Sequence, residues 1–135
     1  MLRYKLNDRS RIKTFVRIIN PLAPNIYKDI TAVWDTGATN TTVTPEVADF
    51  ACLPVVGKSM VGVAGSEEPH LIELVYDKVE LEDGAALTST FCKNKLPKGF
   101  DMLIGMDLIS KDRFTIYSEE DYLVFEFGCM EDLEE

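Results

Sequence analysis

Short runs rich in β-branched and aromatic residues, each cut off by proline, glycine or asparagine, recur along this chain of 135 residues. Residues 12–19, "IKTFVRII", stop at "NPLAPN", where two prolines enforce a loop. "YKDITAVW" reads as a second strand, and the threonine-rich "TNTTV" as a third, short extended piece. "LPVVG" leads into "KSMVGVAGSEEPHLIELVYDKVEL", the pattern of a long hairpin turning near Ala64-Gly65-Ser66-Glu67, where glycine supplies the positive φ of a tight turn. On its return arm Ile72, Leu74 and Tyr76 share one face and Glu73, Val75 and Asp77 the other, so that arm is expected to be partly buried. "ALTSTFC" is a further strand, and "RFTIYSEEDYLVFEF" a hairpin turning over Ser118 to Asp121.

Helical signals are few. Thr44-Pro45-Glu46 combines an N-cap, a proline at the first helical position and an acid in the first turn, opening the short helix "PEVADFAC". "FDMLIGMDLIS" is an apolar run broken by Gly105, with a second short helix expected from Asp107. About nine short strands and two short helices predict an all-β domain, sandwich or barrel-like. The length suits one domain over 1–135, with enough chain to bury a core without disulfides or metal.

Composition narrows the function. A net charge of −9 argues against nucleic acid as a main partner, because phosphate binding needs concentrated Lys and Arg. No apolar run is long enough to span a bilayer, and "MLRYKLNDRSRIK" does not read as a signal peptide. Cys52, Cys92 and Cys129 are odd in number and widely spaced, which fits a reducing compartment and a cytoplasmic protein. Arg3, Lys5, Arg9, Arg11, Lys13 and Arg17 make the beginning basic, while Glu119, Glu120, Asp121, Glu126 and "EDLEE" make the end acidic. That asymmetry is either a solvated surface or a sign that the two ends attract, within one chain or across a dimer.

The chemical inventory is short. The single histidine, His70, has no orienting motif near any Cys or Ser, so a Cys-His pair or Ser-His-Asp triad is not supported. No CxxC, HExxH or clustered His/Asp spacing points to a metal, and no phosphate loop or cofactor motif is present. What remains is Asp35-Thr36-Gly37, at the abrupt end of "ITAVW". The tripeptide alone is equally an Asx-type turn ending a strand. Its neighbours Ala32, Val33, Trp34 and Ala38 would hold the carboxylate in a low-dielectric setting. Gly37 would let a second backbone or a substrate approach closely, and Thr36 could hydrogen-bond across a symmetric contact.

"AVWDTGATNT", followed far downstream by "DMLIGMDLI", resembles the retropepsin-like aspartic proteases, with the hairpin "MVGVAGS" between them where that family carries its flap. The resemblance runs from about residue 12 to about 110, with all elements in the expected order. It implies a closed, barrel-like acid-protease fold with one or two short helices and a flap hairpin. It also implies Asp35 as the catalytic carboxylate, supported by Thr36, Gly37 and Ala38 in its own loop and by Ile104 and Gly105 from below. Val63, Ala64 and Gly65 would be the flap tip over a peptide or protein substrate. Aspartic proteases need two carboxylates, and this chain has one Asp-Thr-Gly, so the second Asp35 is expected from another copy in a homodimer.

The chain departs from the viral members, which commonly carry acids after Asp-Thr-Gly-Ala and Arg after the late glycine; here Thr39-Asn40 and Met106 occupy those places. Ala64 stands where a second flap glycine is common, and the C-terminal hairpin is longer than a viral terminal strand. The alternatives are a retropepsin-fold dimerisation or peptide-binding module with little or no proteolysis, and an unrelated β domain in which Asp35 sits in an ordinary turn.

Overall fold

A computed structural model describes residues 1–61 and 68–128. In chain order the strands are β1 (Leu2–Leu6), β2 (Ile12–Ile19), β3 (Tyr27–Trp34), β4 (Thr42–Val43), β5 (Val55–Val61), β6 (His70–Leu81), β7 (Ala86–Lys93), β8 (Met102–Ile104), β9 (Phe114–Glu119) and β10 (Tyr122–Phe127). Helix α1 (Pro45–Phe50) lies between β4 and β5, and α2 (Met106–Ile109) between β8 and β9. Among the described residues no helix is long and apolar enough to cross a membrane.

The alternation in β2 decides the architecture. Ile12, Thr14, Val16 and Ile18 are buried while Lys13 and Phe15 face out, the period-two pattern of a strand with one wet face. The large sheet runs β2-β3-β8-β4-β7-β6-β5, and β2 also pairs with β6, Val16 opposite Leu81 and Ile19 opposite Lys78. That extra pairing closes β2, β3, β8, β4, β7 and β6 into a barrel, leaving β5 as an outer arm on β6. The interior is filled by Ile18, Val43, Val75, Val79, Phe91, Met102 and Ile104, all essentially inaccessible. The expected all-β, barrel-like fold with two short helices is the observed one.

Local chemistry sets the helices as expected, with small differences. Thr44 caps α1, its hydroxyl accepting from the Val47 amide at 3.3 Å, with Pro45 in the first turn. The helix stops at Phe50, short of Cys52, which adopts a positive φ of 52°. Helix α2 begins at Met106 with Gly105 as its N-cap, one residue earlier than the Asp107 start expected from sequence.

Two departures concern what the strands bury. The first is β1, absent from the sequence reading, whose residues pair with β10 from Leu2 opposite Phe127 to Leu6 opposite Leu123. With β9 these strands form a second sheet, ordered β1-β10-β9. The basic beginning and acidic end therefore meet within one chain: Arg3 lies 3.5 Å from Glu126, and the Arg9 guanidinium donates to the Glu120 carbonyl. The second is Asp77, assigned from sequence to a partly buried arm. Its face of β6 carries Val75, Val79 and Leu81 into the barrel, and Asp77 is itself fully buried.

Candidate active site

Strand β3 is buried through Ala32, Val33 and Trp34, then ends at Asp35, where the chain turns out to the surface. The Trp34 ring anchors that end. Its Nε1 donates to the buried Thr14 hydroxyl at 2.9 Å, and its ring packs on Phe125 and Phe127 with centroids 4.9 and 4.8 Å away. Phe114 stands 6.3 Å away in the same cluster. The C-terminal hairpin thus braces the strand end that carries Asp35.

Asp35 is tied from below. Its amide donates to the Ile104 carbonyl at 2.8 Å, continuing the parallel pairing of β3 with β8 in which Trp34 stands opposite Ile104. The Gly37 amide donates to the Asp35 carboxylate at 2.8 Å and the Ala38 amide to the Asp35 carbonyl at 3.2 Å. Chemically this is an Asx-type turn, which engages one of the two carboxylate oxygens. Thr36 and Gly37 are exposed, and Asp35 and Ala38 half-buried. Of the apolar neighbours expected around the carboxylate, Val33 and Trp34 line the same cleft as Asp35, and Ala32 is fully buried.

The structure gathers Asp35, Thr36, Gly37, Ala38, Ile104 and Gly105 at one end of the barrel. Gly105 admits no side chain: a Cβ there would stand 2.8 Å from the carbonyl oxygens of Ala38 and Asn40. The amides of Met106 and Asp107 donate to the carbonyls of Ala38 and Thr39 at 2.7 and 3.1 Å, clamping the descending arm of the loop. Val63, Ala64 and Gly65 lie outside the described residues; the arms leading to them pair as far as Val61 opposite His70.

Sequence reasoning missed Thr41 and Asp107. The Asp107 carboxylate accepts from the Thr41 amide at 3.0 Å, from the Thr41 hydroxyl at 2.6 Å and from the Leu108 amide at 2.9 Å. The Thr41 hydroxyl in turn accepts from the Gly105 amide at 3.1 Å. One carboxylate therefore locks the end of the Asp35 loop to the start of α2. The available signal was a lone acid directly after "LIGM", in an otherwise apolar run.

Two clefts flank the turn. One, of about 490 Å³, is lined by Asp35 with Arg9, Ile12, Phe100, Leu103 and Ile116. The other, of about 670 Å³, lies between the loop after Asp35 and the β5–β6 arms, lined by Ala38, Asn40, Met60, Val61, Ile72 and Leu96. A third, of about 430 Å³, with Phe15, Arg17 and Glu80, shares no residue with the Asp35 turn.

No family model and no curated protein matches the sequence significantly. Solved structures do match the fold. EIAV protease complexed with the inhibitor HBY-793 superposes with a TM-score of 0.57 at 16% identity, covering 80% of this chain and 93% of that one. A retropepsin-like aspartic protease from Rickettsia conorii gives 0.56 at 15% identity, covering 92% and 88%. The retroviral protease-like domain of Ddi1 from Leishmania major gives 0.50 at 16%, covering 90% and 94%. The chain is thus a retropepsin-fold protein. At these identities the likeness is one of fold, and within that fold its Asp-Thr-Gly turn closes β3.

Proposed function

We propose that the chain is an aspartic endopeptidase, active as a homodimer in which Asp35 of each subunit meets at the two-fold axis. The observation that carries this reading is the Asp35 turn at the end of a barrel strand, held from below by the Ile104 carbonyl, in a retropepsin fold. One chain supplies one such carboxylate, so the chemistry requires two copies.

Two carboxylates at contact distance cannot both ionise easily, so the pair holds one proton between them. In this mechanism the ionised Asp35 takes a proton from a bound water as its oxygen attacks the peptide carbonyl, and the protonated Asp35 gives its proton to the carbonyl oxygen. Collapse of the tetrahedral intermediate breaks the C–N bond, the nitrogen takes up a proton, and a carboxylic acid and an amine leave. Thr36 ties the two loops together, Gly37 faces the peptide with Ala38 beside it, and Ile104 and Gly105 support the loop. Val63, Ala64 and Gly65 form the flap tip that closes over the site and excludes water. An extended substrate adds strand-like hydrogen bonds, and in the mixed linings of the two flanking clefts Ile12, Leu103 and Ile116, and Met60, Val61 and Ile72, offer contacts to apolar side chains. Cys52, Cys92 and Cys129, odd in number and widely spaced, support a reducing, cytoplasmic setting.

The test is cleavage of a denatured protein by wild type and by Asp35→Asn, with and without pepstatin, from acidic to neutral pH. Wild-type cleavage that pepstatin and Asp35→Asn each abolish is the expected result. Cleavage that survives Asp35→Asn removes the aspartic-protease reading. A folded dimer inactive throughout would instead be a peptide-binding or dimerisation module.

A further inference from the structure

Retropepsin chemistry with one Asp35 per chain needs a second subunit, but the strands at the two ends of this chain are already paired with each other. β1 is matched along its length to β10, so it has no free partner edge on that side. Among the described residues, β1 and β9 are each paired on one side only in the sheet β1-β10-β9, and of the two it is β9 that reaches the Asp35 cleft, through Ile116. The register shows which of its backbone groups are unused. Glu119 stands opposite Tyr122 across a two-residue turn, and the Gly128 amide donates to the Arg113 carbonyl at 3.0 Å. Antiparallel pairs alternate between bonded and non-bonded, so residues 113, 115, 117 and 119 bond inward to β10. Phe114, Ile116 and Ser118 then direct their N–H and C=O groups away from the sheet.

We propose that a second copy of this chain docks edge to edge along β9, with the two-fold axis at Ile116; this rests on the dimeric reading above. Edge strands that must stay single carry charges, prolines or bulges along their length; β9, "FTIYSE", has no proline, and its one charge, Glu119, lies at its very end. Ile116 and Tyr117 are 41% and 38% exposed. The outward groups are self-complementary. An antiparallel pairing of Ile116 with itself sets Phe114 against Ser118 of the partner subunit, and every outward amide and carbonyl of the three residues finds a mate. The same register sets exposed Arg113 against Glu119 of the partner subunit, twice by symmetry, so a chain of net charge −9 meets itself with opposite charges. Above all, Ile116 lines the same cleft as Asp35. An axis through Ile116 therefore borders the cleft that holds Asp35, the side on which a shared catalytic pair has to form. The product is one continuous sheet, β1-β10-β9 joined to β9-β10-β1 of the partner.

The charge pair gives a register-specific test by sedimentation equilibrium at low salt. Arg113→Glu and Glu119→Arg each replace two attractions with two repulsions, and each is expected to weaken the dimer about tenfold. The double variant is expected to return to within about threefold of wild type. Within one chain these residues sit at opposite ends of β9, too far apart for contact, so rescue has to come from across the axis. As a second readout, Ile116→Cys is expected to form a covalent dimer on oxidation beyond any formed by the parent chain. A bonded antiparallel pair sets the two Cα atoms about 5.5 Å apart, within disulfide reach. A wild-type dimer that both single variants leave intact, with no crosslink at position 116, overturns the β9 pairing and leaves the dimeric protease standing. A chain monomeric at every concentration overturns both.

Discussion

Asp77 is expected to make this protein steadily less stable between mildly acidic and neutral pH. It is fully buried in the barrel face of β6, and among the described residues neither carboxylate oxygen has a hydrogen bond of good geometry. Burial pushes its pKa from 3.8 up to about 8, with the Lys78 amide pulling weakly the other way. Below pH 3.8 both folded and unfolded states hold the proton, and nothing is lost. Between 3.8 and about 8 the unfolded chain releases it while the folded chain keeps it, so stability falls by about 1.4 kcal/mol per pH unit. From pH 3.8 to pH 7 the loss reaches about 4 kcal/mol, as an upper figure that local relaxation or water entry reduces. Asp77→Asn keeps the shape and removes the titration. Urea unfolding of both proteins from pH 4 to pH 9 isolates the effect, because every other titrating group cancels in the difference. The variant is expected to match wild type near pH 4 and to exceed it increasingly up to about pH 8, where the gap levels off. Parallel curves would refute the reasoning.

The site makes its own demands. Gly105→Ala forces a methyl group into the carbonyls of Ala38 and Asn40, with a cost of about 1–3 kcal/mol in urea unfolding. Asp107→Ala leaves the buried Thr41 amide unpaired and is expected to cost about 2–3 kcal/mol, whereas Asp107→Asn, with one acceptor oxygen in place of two, recovers only part of it. Phe125→Ala opens a cavity against Trp34, expected to cost about 3–5 kcal/mol and to lower the thermal midpoint accordingly.

Residues that act through their immediate neighbours were legible in the sequence. The alternation in "IKTFVRII", the Thr44-Pro45-Glu46 helix start and the "RFTIYSEEDYLVFEF" hairpin each carry their own signal, and each forms as expected. The Asp35 turn and the Ile104-Gly105 segment beneath it could be named because both are short patterns with a fixed order. What escaped depends on partners distant in the chain. "LRYKL" alternates as a strand should, but its cations hide the pattern, and only β10 at the far end of the chain gives it a place. Closure of the barrel needs β2 beside β6, a pairing no local pattern announces. Asp107 matters because Thr41, 66 residues earlier, lies against it. Asp77 breaks the rule that acids face water, so its burial follows from the strand's register and not from its chemistry.

The central claim is that catalysis takes one Asp35 from each of two chains, and subunit mixing tests it most directly. Wild-type protein is held above its dimer dissociation constant and titrated with folded Asp35→Asn chain while peptide cleavage is followed. With free exchange, an equal amount of variant leaves about half of the wild-type subunits paired with one another. Activity is therefore expected to fall to about half and to keep falling as more variant is added. Wild-type activity that stays constant under an excess of Asp35→Asn, with exchange demonstrated, would contradict the shared site.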